Sequence, residues 1–273
     1  MQKFSLELFF HIIGIGSASG LVLKDNSLFI ISDNSGFLYE YHMNEKELTK
    51  IQLFESAQEN TPKKDKADFE SITLKGNQLY LFGSGSTPKR NRMLQYNLVT
   101  KTIVHQNVTG IYNTMKIISG ISDDSFNIEG ALSYNNQWLL FQRGNGAQSK
   151  NGIFTVNDTE DSAPIFHPIT LPKIQHIEAA FTDAIIVDRK IYFLAAVENT
   201  TSTYNDGEAL GTFYGIINPQ TFEVEKTVLL SGKNKFEGIC FYKEDAETLS
   251  FLLCEDNDTD TLKSTIYTLT LTK

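Results

Sequence analysis

The sequence has few cysteines and no long hydrophobic run. Its 273 residues include only Cys240 and Cys254 and no CxxC motif, which favours free buried thiols over a disulfide. No window approaches the roughly 18 apolar residues that a membrane-spanning helix needs. The N-terminal MQKFSLELFFHII contains Glu7 and lacks a small-residue cleavage site, so we interpret it as a strand. We expect a cytoplasmic protein without a membrane partner, or a periplasmic or secreted one if a signal peptide has been removed.

The chain also lacks the features of several functional classes. Its net charge of −9 disfavours nucleic acid as a partner, because phosphate backbones are bound by an excess of Lys and Arg. There is no GxSxG elbow, Walker loop or glycine fingerprint. The five histidines show no HExxH or paired metal spacing. These absences do not exclude the binding of a small ligand.

Five copies of a repeat of about fifty residues are present. The segment KFEGICF, residues 235–241, is similar to FNIEGALSY, QHIEAAFTD, ADFESITLK and, more weakly, SASGLVLK. Each copy continues with a hairpin turn, an apolar strand, a polar loop and a third strand, and most copies add a shorter fourth strand. The fifth copy ends after its third strand, whereas SLELFFHI stands unpaired before the first copy. Aligned anchor residues 51, 59, 49 and 59 positions apart begin the copies: Ser19, Glu70, Glu129, Glu178 and Glu237.

Repeats of this length with four antiparallel strands indicate a β-propeller. We predict an all-β, five-bladed β-propeller forming a single domain of residues 1–273. The N-terminal strand closes the last blade, which removes the exposed sheet edges. A six-bladed propeller and a sandwich are the alternatives.

The repeated carboxylates predict a central metal site. The first strand of each propeller blade lies nearest the axis, so the anchors would form a ring at the mouth of the channel. Four carboxylates there repel one another and need a positive partner. Oxygen ligands with tolerant geometry favour Ca²⁺ over Mg²⁺, with Lys235 and Arg143 as candidates for the remaining charge. A purely structural polar ring is the alternative. The predicted metal ligands are Ser19, Glu70, Glu129, Glu178 and Glu237.

Long loops are predicted on the face that bears the ring. They comprise residues 55–68, 112–127, 142–151, 197–211 and 255–264. Long loops often carry function, so this face is the default binding surface. Its basic sector around blades two and three favours a small anionic ligand such as a phosphoester, and Arg143 is its strongest candidate. A protein partner is the other expectation, and we expect a monomer.

The starts of the innermost strands resemble those of the calcium-dependent apyrases, also called soluble calcium-activated nucleotidases. The resemblance implies a five-bladed propeller around a central Ca²⁺. The loop ISDNSGFLYEY, with Asp33 and Asn34, is similar to that family's acidic turn in blade one, and Arg143 to its basic residues in blade three. The segments that carry the resemblance are SASGLVL with Ser19, DFESITLKGNQLYLFG with Glu70, NIEGALSYNNQWLLFQR with Glu129, and KFEGICF with Glu237.

The sequence departs from the apyrases at two points. Glu178 stands where that family tends to have Ser, and the long insertions around the nucleotide are missing, so metal binding carries over better than nucleotidase activity. The HIEA and FEGI motifs are also similar to those of the esterase-like phytase and SdiA-regulated propellers. Sequences of this length and style also resemble uncharacterised propellers from Bacteroidetes.

Two functional hypotheses follow. The favoured one is a binding or scaffold propeller of unknown ligand, with a structural Ca²⁺ ringed by Glu. The alternative is a Ca²⁺-dependent phosphoester hydrolase, apyrase-like or phytase-like, in which Asp33 orients water and Arg143 with Lys89 or Arg92 binds phosphate. The predicted catalytic residues are Asp33 and Arg143, and the predicted ligand-binding residues are Asn34, Lys89 and Arg92. A glycan-active propeller is a third, weaker option.

Overall fold

The computed structural model describes residues 3–159, 162–200, 207–256 and 261–273. Its strands form five four-stranded antiparallel sheets and one short hairpin. Strand β1 (Phe4–Ile13) precedes the first blade. The first blade contains β2 (Ala18–Lys24), β3 (Ser27–Ser32), β4 (Phe37–His42) and β5 (Glu47–Gln52). The second contains β6 (Phe69–Lys75), β7 (Gln78–Gly83), β8 (Arg92–Asn97) and β9 (Ile103–Asn107), with a 3₁₀ turn at Pro88–Arg90.

The remaining three blades repeat this order. The third contains β10 (Ile128–Tyr134), β11 (Gln137–Gln142), β12 (Gly152–Asn157) and β13 (Ile165–Pro168). A hairpin of β14 (Lys173–Ile174) and β15 (Ile177–Glu178) follows. The fourth blade contains β16 (Ala180–Val187), β17 (Lys190–Glu198), β18 (Ala209–Ile217) and β19 (Val224–Ser231). The fifth contains β20 (Phe236–Glu244), β21 (Thr248–Glu255) and β22 (Lys263–Thr272).

Strand β1 completes the fifth blade and closes the ring. It pairs with β22 in antiparallel register from Phe4 opposite Leu271 to Ile13 opposite Lys263. The innermost strands β2, β6, β10, β16 and β20 contact one another in a closed cycle. The predicted five-bladed propeller and its closure by the N-terminal strand are therefore confirmed.

Tight hairpins join the first two strands of the blades. Asp25 and Asn26 have φ of 49° and 64°, and Asn135 and Asn136 have φ of 49° and 60°. A two-residue turn with both residues in this left-handed region matches the twist of the flanking strands. Asn and Asp adopt it more readily than other residues with a Cβ.

The hydrophobic core is divided among the interfaces between blades. Five clusters of buried apolar side chains lie between successive blades, one at each interface. At the interface of blades two and three, the Trp138 ring lies 4.8 Å from that of Tyr80 and 5.4 Å from that of Phe82. Cys240 and Cys254 are free, buried thiols in the cluster between blades five and one, as predicted.

Helix α1 (Thr109–Ser119) overlaps residues 112–127, for which the sequence predicts a long loop. Tyr112 and Met115, one turn apart, are its buried side chains, and Tyr112 Oη donates a hydrogen bond to the Gly83 carbonyl at 2.9 Å. The helix ends at Gly120, which has a φ of 62°. None of the helices in the described ranges is long and apolar enough to cross a membrane.

Each innermost strand contains a β-bulge near its start. The pairing with the second strand passes from Ala18 to Gly20, so Ser19 is the extra residue, and the same irregularity occurs in every blade. A bulge turns the extra residue out of the ladder and bends the strand. The extra residues of the five blades are Ser19, Glu70, Glu129, Thr182 and Glu237.

The bulge of the fourth blade shows that the sequence alignment of the fourth repeat was wrong. The sequence alignment placed Glu178 at this position, whereas the register shift between Phe181 and Asp183 places Thr182 there. The HIEA motif was aligned with the anchor segments of the other repeats because it is similar to them. Its Ile177 and Glu178, however, form β15 of the added hairpin. The hairpin lies outside the fourth sheet.

Candidate functional site

A polar cavity of about 60 Å³ lies at one mouth of the channel. The bulged starts of the innermost strands and the loops beside them supply its walls. Every lining residue is charged or an asparagine, so the cavity suits an ion or water and not an apolar ligand. The lining residues are Asp33, Lys63, Lys66, Asp68, Glu70, Arg90, Asn127, Glu129, Arg143, Asn145, Lys235, Glu237 and Asp256.

Three of the predicted ring residues line this cavity. Glu70, Glu129 and Glu237 lie at its wall and are buried. The two hydroxyl residues of the ring connect blades instead: Ser19 Oγ donates to the Phe69 carbonyl at 2.7 Å, and Thr182 Oγ1 donates to the Phe236 carbonyl at 2.8 Å. Each of these carbonyls belongs to the residue just before the next anchor.

Glu178 lies in a separate groove of about 450 Å³ on blades three and four. Its Oε1 accepts a hydrogen bond from the Leu171 backbone N–H at 3.0 Å, and its Oε2 lies 3.8 Å from Lys173 Nζ. Asn145 lines both the groove and the central cavity. The groove therefore adjoins the cavity, although Glu178 itself is not among the residues that line the latter.

Asp33, Asp68 and Glu70 form a group that could hold a metal ion. One carboxylate oxygen from each lies within 4.8 Å of the others. Asp33 follows β3, and Asp68 precedes β6 with a φ of 56°, so the acidic turn of blade one meets the start of blade two. We call these three residues the carboxylate triad.

Two basic side chains contact the triad. Lys66 Nζ lies 2.7 Å from Asp68 Oδ1 and also pairs with Asp33 Oδ2. Arg90 Nη1 lies 2.7 Å from Asp68 Oδ2, which also accepts a hydrogen bond from Ser84 Oγ. Asp68 is thus fixed by three neighbours, whereas Asp33 is held through one oxygen.

A second ionic cluster occupies the other side of the mouth. Arg143 Nη1 lies 3.0 Å from Glu129 Oε1, and Arg143 Nη2 pairs with Glu198. Lys235 Nζ lies 2.9 Å from both Glu198 Oε1 and Glu237 Oε1. It also lies 3.4 Å from Asp256 Oδ2. These cations compensate the carboxylates of blades three to five.

The site has an excess of acidic groups. Among the described residues, Glu198 and the six acidic lining residues make seven carboxyl groups, against five basic side chains. Burial raises the pKa of Glu237 to about 8, partly opposed by Lys235 and Arg143. Burial also raises the pKa of Glu70, with a further contribution from Glu129, and raises those of Asp33 and Glu129. If all groups were ionised, the excess of two negative charges would equal the charge of one divalent cation.

Buried polar atoms at the cavity lack partners. Asp33 Oδ1 and Asn127 Oδ1 accept no hydrogen bond from any described residue. Asn127 is only 5% exposed, and its Nδ2 donates to Glu129 Oε1 at 2.6 Å. A buried acceptor without a partner destabilises the folded state by about 1–3 kcal/mol. These oxygens therefore indicate that an additional group binds to them in the cavity.

Three other candidate residues lie outside the cavity lining. Asn34 Oδ1 accepts a hydrogen bond from Ser32 Oγ at 2.9 Å. Lys89 Nζ pairs with Asp65 at 2.8 Å on the surface. The Arg92 guanidinium lies 5.5 Å from the Phe54 ring centre. The cavity thus brings Asp33, Arg143 and three of the ring glutamates together, but not Asn34, Lys89 or Arg92.

The sequence analysis did not place several of these residues at the metal site. Asp68 stands two positions before Glu70, and Lys66 two before Asp68, so the segment KADFE carries a signal that could have been found. Glu198 ends the buried strand β17 and Asp256 follows the buried strand β21, and neither stands in a distinguishing motif. Their approach to Lys235 depends on the packing of blades four and five, which the repeat pattern does not specify.

Solved structures share the propeller fold at low sequence identity. Glutaminyl cyclase from Myxococcus xanthus has a TM-score of 0.56 and 9% identity, covering 98% of this chain and 97% of that one. The major Malassezia sympodialis allergen Mala s 1 has a TM-score of 0.59 and 8% identity, covering 97% and 96%. An exo-1,5-α-L-arabinanase from a bovine ruminal metagenomic library has a TM-score of 0.53 and 9% identity, covering 93% and 92%. At these identities the similarity concerns the fold alone.

Sequence comparison gives one match to a family and none to a curated protein. No curated protein matches the chain. The matching family model covers residues 14–271, which include all five innermost strands with their bulges and every residue that lines the central cavity. The chain belongs to the family of unknown function DUF6929.

Proposed function

We propose that this protein is a ligand-binding β-propeller that holds a divalent cation, Ca²⁺, at the carboxylate triad. The observation that carries the proposal is the convergence of Asp33, Asp68 and Glu70 oxygens within 4.8 Å. The partnerless Oδ1 atoms of Asp33 and Asn127 at the same cavity support it.

The chemistry of the lining residues favours Ca²⁺. Carboxylate and amide oxygens are hard ligands, and the described lining includes neither His nor Cys, which zinc and copper sites use. Ca²⁺ accepts six to eight oxygens in flexible geometry, whereas Mg²⁺ needs a near-ideal octahedron and keeps several waters. A small cavity walled by side chains from different blades suits the more tolerant ion.

The proposed ligand set differs from the ring predicted from the sequence. Glu70 is common to both sets, and Asp33 and Asp68 replace the anchors of the other blades. Glu129 and Glu237 contact Arg143 and Lys235, just as Asp33 and Asp68 contact Lys66. Among the described residues, however, only the triad brings three carboxylate oxygens within 4.8 Å of one another. We therefore place the metal ion beside blades one and two and not on the axis.

The role in binding is proposed for the long-loop face. The groove of about 450 Å³ on blades three and four falls within the range of small-molecule sites, roughly 300–1,000 Å³. Glu198 lines this groove and also pairs with Arg143 of the central cavity. A small ligand or a peptide of a partner protein in the groove would therefore contact the network that adjoins the cation.

The hydrolase alternative has less support. It needs basic groups that can bind phosphate, yet Arg143 contacts Glu129 and Glu198, and Lys89 contacts Asp65. To bind phosphate, each of these basic side chains would first have to give up its contact with a carboxylate. Release of phosphate from nucleotides, inositol phosphates or aryl phosphates by the Ca²⁺-loaded protein would favour this alternative.

Calorimetric titration with Ca²⁺ tests the proposal. We expect one ion per chain, and we expect Glu70→Gln and Asp33→Asn each to weaken binding at least tenfold, because each removes a charged ligand at nearly constant volume. The matched control is Asp65→Asn, which changes an exposed carboxylate of the same loop region, and it should leave the affinity unchanged. A folded wild-type protein that binds no Ca²⁺ at millimolar concentration would overturn the proposal.

A further inference from the structure

Lys66 occupies the space in which the triad would hold its ion. Its Nζ contacts both Asp33 and Asp68, and the residue is only 9% exposed. Two of the three carboxylates that would bind the cation thus already contact one ammonium group.

We propose that Lys66 is a built-in competitor for the cation site, whose ammonium group fills the triad without metal and is displaced when Ca²⁺ binds. This inference rests on the proposed function and adds a mechanism that regulates it. An ammonium group and Ca²⁺ cannot share the triad, because their charges repel at the short distances that both need. Binding is therefore an exchange of one cation for another.

The exchange requires only a local movement. Lys66 lies in the loop before β6, and its backbone N–H donates to the Pro62 carbonyl at 3.1 Å. Its four-carbon side chain is flexible and can turn toward solvent while this backbone contact is kept.

Two consequences follow for affinity and selectivity. The apparent affinity for Ca²⁺ is reduced by the population in which Lys66 occupies the site. Monovalent ions carry no more charge than the ammonium group and gain nothing by replacing it, whereas a divalent ion gains from each carboxylate. Lys66 therefore selects divalent over monovalent cations.

The first test is calorimetry on Lys66→Met, which keeps an unbranched side chain of similar length and removes its charge. We expect at least tenfold tighter Ca²⁺ binding than in the wild-type protein, and measurable Na⁺ competition that the wild type does not show. Lys89→Met is the control, because Lys89 pairs with Asp65 outside the cavity and should not affect the affinity.

The second test uses the wild-type protein and is independent of whether Lys66→Met folds. Acetic anhydride labelling followed by peptide mass spectrometry measures the exposure of each lysine. We expect Lys66 to react several-fold faster with saturating Ca²⁺ than with chelator, whereas Lys235, which contacts Glu198 and Glu237, stays slow in both.

The outcomes separate this inference from the proposed function. If the wild type binds Ca²⁺ but labelling of Lys66 does not change, the competitor role is wrong and the cation site stands. If neither the wild type nor Lys66→Met binds Ca²⁺, both proposals are wrong. Binding by Lys66→Met alone would overturn both the proposed function and the exchange, because the lysine would then occupy the triad permanently in the wild-type protein.

Discussion

At the scale of single residues, the buried carboxylates make stability depend on pH. Burial raises the pKa of Glu237 to about 8, above its ordinary value of 4.5. Without metal, the folded protein then binds more protons than the unfolded chain between these two values, so the free energy of unfolding decreases as pH rises through this window. Glu129 and Glu70 shift in the same direction.

We therefore predict that the melting temperature in chelator decreases from pH 6 to pH 8, and that Glu237→Gln makes the decrease smaller. Thermal unfolding followed by circular dichroism measures both. Glu225→Gln, an exposed change on β19, is the control and should reproduce the wild-type slope. A wild-type slope that Glu237→Gln leaves unchanged would show that Glu237 is ionised in the metal-free protein.

Only part of the site could be predicted at this scale. Glu70, Glu129 and Glu237 are found from the sequence because the repeat places the same residue type at the same bulge in three blades. Asp68 and Glu198 are not assigned to the site from the sequence, because single acidic residues beside strands are common and only blade packing shows which of them face the axis.

At the scale of elements, the bulges determine what each innermost strand contributes. Where the bulged residue is Glu, its side chain reaches the cavity; where it is Ser19 or Thr182, the hydroxyl bonds to the next blade. The fourth repeat could not be aligned from sequence because the inserted hairpin carries a similar motif. Helix α1 was missed because only two of its side chains are buried, which gives a weak periodic signal.

We expect the hydrogen bonds that hydroxyl groups donate between blades to contribute measurably to the free energy of unfolding. Thr182 is fully buried, so Thr182→Val leaves the Phe236 carbonyl without this donor while preserving shape. We expect a loss of about 1–3 kcal/mol in the free energy of unfolding. Urea denaturation measures it, with exposed Thr49→Val on β5 as the control. A loss no larger than that of the control would mean that the bond does not connect blades four and five energetically.

At the scale of the whole molecule, the architecture follows closely from the sequence. Five copies of one pattern, and a last copy that lacks the strand present at the N-terminus, suffice to predict ring closure by β1. The distribution of charge within the ring does not follow in this way. It depends on loops of unequal length that bring Asp33 of blade one to Asp68 of blade two, and on which acidic groups Arg143 and Lys235 already compensate.

The central claim is that the triad binds Ca²⁺ beside blades one and two. Crystals grown with Ca²⁺ and measured at a long X-ray wavelength test it most directly, because the anomalous signal locates the ion. We predict a peak with oxygen neighbours from Asp33, Asp68 and Glu70 at about 2.3–2.6 Å, and Lys66 turned away. A cavity without such a peak, in which Lys66 still contacts Asp33 and Asp68 at saturating Ca²⁺, would contradict the account.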